Sequence, residues 1–326
     1  MSGSVSREKL FEIVGQGLAG CCLSWQLGWK HKGFRAFDDG LPWASSRVAG
    51  GLVNPVTGRN FEPSWRIAEF LPESIRFFER VEAELGRKFW HPLPVLRLVG
   101  EKDWSKVASK LEQEKVAIWV DRVDESLDDW RAGVWLQGGG RLDVKGFCDA
   151  TAERFRGQDP DGEVGESVNC GGATDLIAGK LGEHRCAKGE ILTIRWSGKG
   201  DRIVVGGGGW LVPLGGGLFK AGSTYEWDQL DGGPTLAGRI RVEEMLERLG
   251  VQDFEVVAHE AGVRPIVRRS KPLIGRTPAG EVVFNGLGSK GSLYAPGAAR
   301  RLAEWLTEGK EIDETLDVGK WLAGKA

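Results

Sequence analysis

A glycine-rich turn near the N-terminus constrains the fold of this chain more than any other feature. A short apolar run at residues 10–14 is followed by the pattern Gly15-x-Gly17-x-x-Gly20, which opens a segment of helical character at residues 18–29. A strand, a tight turn and a helix in this order begin a Rossmann-type domain. The first glycine permits the turn, the second lets the backbone approach a pyrophosphate, and the third lets helix and strand pack closely.

An acidic residue lies where such a domain needs one. Residues 34–37 are predicted to form the second strand, and Asp38 and Asp39 follow it, with Asp38 placed 23 positions after Gly15. A carboxylate at this strand end can accept hydrogen bonds from a ribose 2′-hydroxyl. The open alternative is a glycine turn kept only for packing, but strand, helix and carboxylate together favour a dinucleotide-binding domain.

Charge and cysteine content exclude several classes of protein. The 44 Lys and Arg residues nearly balance the 46 Asp and Glu residues, so a formal net charge of −2 predicts no general attraction to nucleic acid or to a membrane surface. Five cysteines without a C-x-x-C pattern argue against a zinc site or a disulfide framework. The long uncharged stretches at 13–29 and 203–219 are too rich in glycine for a membrane span. We therefore expect a cytoplasmic protein without a metal.

The rest of the chain alternates between helical and β-rich segments. A helix is predicted after Ser64, which is a candidate N-cap, and a strand at 116–120. Strand–helix–strand order returns between 134 and 169, before a series of antiparallel strands at 190–222. A helix at 235–249, strands at 253–261 and 281–285, and a helix at 293–307 complete the prediction.

A second glycine pattern, Gly286-x-Gly288-x-x-Gly291, also lies between a predicted strand and a predicted helix. Only 35 residues follow Gly291, too few for another nucleotide-binding half. The pattern therefore predicts a loop that directs a helix N-terminus and Lys290 toward the same cofactor. A flavin needs such donors because its reduced form carries negative charge at N1/O2. A surface loop with a solvated Lys290 is the open alternative.

Several separated segments resemble the FAD-dependent D-amino-acid oxidase and glycine oxidase superfamily. They keep the order of that family along nearly the whole chain, at residues 13–20, 44–55, 168–172, 188–190, 210–214, 221–226, 262–265, 271–275 and 285–291. Within the superfamily the chain is most similar to the oxidase half of bifunctional enzymes that build a modified uridine in tRNA. The resemblance implies FAD as the cofactor.

The predicted fold class is α/β (α+β overall), with a Rossmann-like FAD-binding domain and an inserted antiparallel-sheet substrate domain. The FAD-binding domain is predicted to be discontinuous, formed by residues 1–65, 132–188 and 257–326. The substrate domain is predicted to comprise residues 66–131 and 189–256.

The glycine turns and the resemblance together imply a set of cofactor-binding residues. Ser45, Ser46 and Arg47 would line the pyrophosphate and the flavin entrance, residues 50–52 would run beside the isoalloxazine ring, and residues 288–292 would contact its pyrimidine end. The complete set is Gly15, Gly17, Leu18, Ala19, Gly20, Asp38, Asp39, Ser45, Ser46, Arg47, Gly50, Gly51, Leu52, Gly171, Gly288, Ser289, Lys290, Gly291 and Ser292.

The resemblance also implies a substrate site. Arg264 matches the position whose guanidinium binds a substrate carboxylate, with a structural ion pair as the open alternative. Independently of the resemblance, Tyr225 is a candidate hydroxyl on the substrate side, with packing among the antiparallel strands as the favoured alternative. We therefore expect an oxidase that transfers hydride from an amino acid or N-substituted glycine to flavin N5. One alternative is oxidation of a carboxymethylaminomethyl group on the wobble uridine of tRNA, with Arg268 and Arg269 near RNA phosphates. Another is a flavin-binding protein without catalysis.

Overall fold

The computed structural model describes residues 9–158, 160–231, 233–267 and 271–324. The strands of this part of the chain are β1 (Leu10–Val14), β2 (Phe34–Phe37), β3 (Leu52–Val53), β4 (Val56–Thr57), β5 (Glu62–Pro63), β6 (Trp90–Pro92), β7 (Val95–Val99), β8 (Val120–Leu127), β9 (Trp130–Leu136), β10 (Gly140–Leu142), β11 (Val164–Asn169), β12 (Ala187–Arg195), β13 (Ile203–Gly206), β14 (Gly209–Gly215), β15 (Leu218–Gly222), β16 (Glu255–Arg264), β17 (Leu273–Arg276) and β18 (Val282–Asn285).

The helices are α1 (Leu18–Trp29), α2 (Ser45–Val48), α3 (Ile67–Leu85), α4 (Glu101–Leu111), α5 (Glu114–Ala117), α6 (Val144–Phe155), α7 (Ala173–Ile177), α8 (Leu236–Arg248), α9 (Gly291–Glu308) and α10 (Val318–Ala323). None of these helices is long and apolar enough to cross a membrane.

A five-stranded sheet in the order β17-β18-β11-β1-β2 carries the predicted nucleotide-binding turn. Strands β18, β11, β1 and β2 are parallel, while β17 is antiparallel to β18. Helices α1 and α9 pack against each other beside this sheet, with Trp25 and Tyr294 fully buried among them. The apolar β1 and the glycine-opened α1 produce the strand–turn–helix unit, which confirms the Rossmann-like part of the predicted fold.

An eight-stranded sheet in the order β16-β12-β15-β14-β13-β7-β9-β8 forms the second layer. Neighbouring strands are antiparallel except β13 and β7, which are parallel and join residues 203–205 to residues 95–97. The predicted mixed α/β architecture with an antiparallel sheet is therefore confirmed. The division into domains stays a prediction, and its boundaries at 132 and 257 fall inside β9 and β16, which both belong to this sheet.

Two local predictions are wrong. Ser64 does not cap α3, because the N-cap position is Arg66, which has a left-handed backbone with φ 49°. The Ser64 hydroxyl instead donates to the Asn54 carbonyl at 3.2 Å. The predicted strand at 116–120 is interrupted by α5, in which the Val116 amide donates to the Gln113 carbonyl at 2.8 Å. A short apolar run fits a buried helical turn as well as a strand.

A buried carboxylate attaches α3 to β6. Glu82, with 7% of its side chain exposed, accepts hydrogen bonds from the backbone amides of Phe89 at 2.7 Å and Trp90 at 2.6 Å. Its second oxygen accepts from Lys88 Nζ at 2.5 Å. Burial raises the pKa of Glu82, but these hydrogen bonds outweigh burial and hold the pKa below its ordinary value.

Replacement Glu82→Gln is expected to lower the free energy of unfolding at pH 7 by about 2–3 kcal/mol, since the two hydrogen bonds from backbone amides are weakened and the ion pair with Lys88 is lost. A carboxylate with a lowered pKa stabilises the fold above its unfolded-state pKa of about 4.3, and this contribution is lost as the pH falls through the lower folded-state value. Urea unfolding at pH 7, 4 and 3 measures the loss of free energy of unfolding and its dependence on pH. Glu79→Gln, on the exposed face of the same helix, is the control. If Glu82→Gln destabilises the protein as much at pH 3 as at pH 7, this account is contradicted.

Candidate active site

The residues predicted to bind the cofactor and the substrate lie around one cavity between the two large sheets. Its volume is about 820 Å³, within the usual range for ligand sites. Val14 and Asn169 line it at the ends of β1 and β11, while Gly189, Ile191 and Trp210 line it from the eight-stranded sheet. Ligand sites in open α/β sheets lie outside the carboxyl ends of parallel strands, as here.

The first turn accepts only glycine at two positions. Gly15 has φ +100°, and a Cβ there would lie 2.6 Å from the Cys170 carbonyl oxygen. A Cβ on Gly20 would lie 1.9 Å from the Gly15 carbonyl oxygen. At the start of α1, the Leu18 amide donates to Ser46 Oγ at 2.9 Å, so this helix end and the Ser46 hydroxyl face the same part of the cavity. This arrangement fits a pyrophosphate.

Asp38 lies beside that turn at the end of β2. Its Oδ1 accepts a hydrogen bond from the Gln16 amide at 3.0 Å, and its Oδ2 lies 3.5 Å from Arg47 Nη2. The carboxylate lines the cavity and keeps acceptor capacity for a ribose hydroxyl. Asp39 also lines the cavity.

Most of the predicted cofactor-binding residues share this cavity. Those in its lining are Gly15, Gly17, Leu18, Ala19, Asp38, Asp39, Ser45, Ser46, Gly50, Gly51, Leu52, Gly171, Gly288, Ser289, Lys290, Gly291 and Ser292. Gly20 and Arg47 lie outside the lining: Gly20 is buried behind the turn, where it allows α1 to approach β1, and the Arg47 guanidinium points toward Asp38.

The middle of the cavity depends on close backbone approach. Gly51 has φ +69°, and a Cβ there would lie 1.8 Å from the Leu142 carbonyl oxygen. A Cβ on Gly50 would lie 2.7 Å from the Trp210 ring, so the glycine backbone packs directly under that ring. A flat group lying along residues 50–52 would have Trp210, on β14 of the eight-stranded sheet, as a neighbour.

The start of α9 forms another part of the cavity wall. Lys290 occupies the N-cap position, and its Nζ donates to Thr57 Oγ1 at 3.0 Å and to Ser64 Oγ at 3.2 Å. Burial lowers the pKa of Lys290. Its hydrogen-bond partners in the described chain are neutral hydroxyls, which do not offset the effect of burial as a carboxylate would. A helix N-terminus and an ammonium group at one site fit the negative charge of a reduced flavin.

Arg264 and Tyr225 lie together in the cavity wall. Arg264 Nη2 donates to the Ser223 hydroxyl, Nη1 lies 3.3 Å from the Thr224 carbonyl oxygen, and the guanidinium carbon lies 4.2 Å from the centre of the Tyr225 ring. Burial lowers the pKa of Arg264, although the nearby Tyr225 acts in the opposite direction. Within the described ranges no acidic side chain pairs with this guanidinium, so it can bind a carboxylate.

Sequence reasoning missed several lining residues. Trp210, Arg97, Asp175 and Lys180 also face the cavity, the last two as an ion pair with Nζ and Oδ1 2.8 Å apart. The signal for Arg97 was present, because it is the single charged residue in the apolar strand β7. In the described part of the chain, no cluster of three or more His, Cys, Asp or Glu side chains is arranged to hold a metal ion.

Known proteins share both the sequence pattern and the fold. The sequence matches the DAO family, described as FAD dependent oxidoreductase, over residues 12–159 and 156–305. The tRNA 5-methylaminomethyl-2-thiouridine biosynthesis bifunctional protein MnmC of Methylibium petroleiphilum is 24% identical over 383 aligned positions, which cover 93% of this chain. The alignment spans only 58% of the length of that curated relative.

Solved structures give the same result for the fold. Glycine oxidase from Bacillus cereus superposes with a TM-score of 0.78 at 16% identity, covering 95% of this chain and 97% of that one. Iminodiacetate oxidase from Chelativorans sp. BNC1 superposes with a TM-score of 0.74 at 18% identity, covering 93% and 96%. Together with the family match, the glycine turn and the cavity, this shows that the chain is an enzyme of the FAD dependent oxidoreductase (DAO) family, with FAD as its cofactor.

Proposed function

We propose that this oxidoreductase oxidises the C–N bond of an amino acid or N-substituted glycine by hydride transfer to flavin N5. The observation that carries the proposal is the half-buried Arg264 guanidinium, which faces the cavity and has no acidic partner among the described residues. A planar guanidinium binds both oxygens of a carboxylate and thereby fixes the direction of the α-carbon. The names of the glycine oxidase and iminodiacetate oxidase neighbours agree with such a substrate.

The residues of the chain act mainly by orientation. When bound, FAD supplies the acceptor for a hydride, which carries two electrons. Arg264 holds the substrate carboxylate, and Ser223 and Tyr225 hold Arg264. Trp210 packs on Gly50 and forms the cavity wall there. As the C–H bond breaks, the nitrogen lone pair forms the C=N bond of an imine; water then hydrolyses the imine to a carbonyl compound and to ammonia, or to an amine where the nitrogen is substituted. Dioxygen or another acceptor removes the electrons.

The purified holoenzyme is expected to be yellow, with absorbance bands near ~375 and ~450 nm from oxidised flavin. Anaerobic mixing with glycine or sarcosine should bleach the ~450 nm band, because hydride transfer from a carboxylate-bearing amine reduces the flavin. Dithionite serves as the control that the bound flavin is reducible. Bleaching by dithionite but by no amine would contradict C–N oxidation while leaving the flavoprotein assignment intact.

Oxidation of a modified uridine in tRNA is a second candidate. Besides the similarity to the tRNA-modifying relative, Tyr225 and Trp227 stack at 5.8 Å with an interplanar angle of 28° and are 46% and 57% exposed. Exposed aromatic rings bind unstacked bases. Arg268 and Arg269 lie outside the described residues. Adding tRNA that carries carboxymethylaminomethyl-uridine to the bleaching screen separates this candidate from a small amine. A cytoplasmic location, inferred from the cysteines, remains part of the proposal.

A further inference from the structure

The cavity is lined by a second half-buried arginine, Arg97, far from Arg264. We propose that Arg97 forms a second anion-binding position, beside the flavin-facing Lys290, and that the substrate is therefore an amine with two separated acidic groups. This inference rests on the proposed function and specifies its substrate class. One group is the α-carboxylate at Arg264, and the other is a carboxylate or a phosphate.

The surroundings of Arg97 lack negative charge. Its Nη1 donates to the Val56 carbonyl at 2.9 Å, its Nη2 lies 3.3 Å from the Gly58 carbonyl oxygen, and its guanidinium lies over the Phe61 ring. Its buried Nε has no hydrogen-bond partner, and no carboxylate in the described chain lies within ion-pair distance. Burial lowers the pKa of Arg97 to about 10. A buried charge without a counter-ion is costly, and an anionic ligand would offset that cost.

Lys290 brings a second positive charge to the same place. Arg97 binds the carbonyl groups of Val56 and Gly58, and Lys290 Nζ donates to the hydroxyl of Thr57, the residue between them. Both cations face the cavity, one from the eight-stranded sheet and one from the start of α9. Lys290 is the cation that the start of α9 directs at the flavin, so Arg97 is the one left for a second acidic group of the substrate, and neither has a carboxylate partner in the described chain.

The register of the sheet places this position away from Arg264. Arg97 is paired with Val205, and Val205 with Trp210, so these side chains point to the same face, which lines the cavity. Arg264 reaches Ser223, directly after β15. Strand β7 lies three positions beyond β15 in the sheet, about 14 Å at the usual strand spacing. The second acidic group is therefore several bonds from the α-carboxylate, with Trp210 between the two.

Binding to the oxidised holoenzyme tests this inference without turnover. Dicarboxylates of four to ten carbon atoms and monocarboxylates of matching length are titrated while the flavin absorbance is recorded. At least one dicarboxylate is expected to bind about 10-fold or more tightly than its monocarboxylate, as a second charge-assisted contact implies. In Arg97→Met this preference should fall to about 3-fold or less. Acids that end in a phosphonate distinguish a phosphate from a carboxylate preference.

Two further variants keep the test decisive. Arg97→Lys retains the charge and should retain part of the preference even if Arg97→Met folds poorly. Arg131→Met on neighbouring β9 removes an arginine that stacks on Trp104 outside the cavity, and should change nothing. If Arg97→Met keeps the full preference for a dicarboxylate over its monocarboxylate, the inference is overturned. A shifted flavin reduction potential in ligand-free Arg97→Met also overturns it, because Arg97 would then act on the flavin. Failure of the proposed oxidation would appear separately, as the absence of bleaching by any amine.

Discussion

Replacement of Arg264 by alanine is expected to raise the KM for a carboxylate-bearing amine by about 30- to 1,000-fold, equivalent to ~2–4 kcal/mol of lost binding. The guanidinium is half-buried, and within the described chain its hydrogen bonds go to a hydroxyl and to backbone carbonyls. Its charge is therefore available to the substrate. The kcat should also fall, because the α-carbon is no longer held in one orientation. The anaerobic rate of flavin reduction, measured against substrate concentration, separates the two effects.

Three controls make this result specific. Arg264→Lys keeps a charge without the planar fork and should recover part of the affinity. Arg195→Ala removes an exposed arginine at the end of β12, which pairs with Glu255 at 3.3 Å, and should leave KM unchanged. Amines without a carboxylate should be oxidised equally poorly by wild type and Arg264→Ala. A normal KM in a destabilised Arg264→Ala protein would show that the residue has only a structural role.

Replacement of Gly20 by valine is expected to yield protein without bound FAD, with an affinity for added FAD weakened by about 100-fold or more. The new Cβ would lie 1.9 Å from the Gly15 carbonyl oxygen, so the turn that brings the helix N-terminus to the pyrophosphate cannot keep its shape. The ratio of absorbance at ~450 nm to that at 280 nm, followed by a fluorescence titration with FAD, measures the effect.

The same helix provides the matched control. Gly28 lies near the end of α1, and a Cβ there would meet only the Phe155 ring, at 3.3 Å. Gly28→Ala should therefore retain FAD, since alanine favours a helix and the Phe155 side chain can move slightly. Circular dichroism shows whether Gly20→Val remains folded. A yellow Gly20→Val protein with the wild-type absorbance ratio would mean that this turn does not determine FAD binding.

The sequence predicts the fold best where the structure is local. Gly15, Gly17 and Asp38 lie in one strand–turn–helix–strand unit, so their spacing along the chain already determines how they meet. The loop before α9 follows from the sequence for the same reason, since it joins a strand to the next helix along the chain. Arg97 was missed because its strand reaches the cavity through pairing with β13, more than 100 positions later in the chain. The prediction for 116–120 failed because burial of Val116 satisfies either a strand or a helical turn.

The parallel pairing of β7 with β13 affects how the enzyme is made as well as what it binds. During synthesis β7 emerges long before residues 203–206, so one of its edges waits without a partner while the ribosome adds about a hundred residues. An apolar strand with an open edge can pair with another copy of itself. We therefore expect nascent chains interrupted before β13 to aggregate more readily than the complete chain, and slow translation between the two strands to lengthen that exposure.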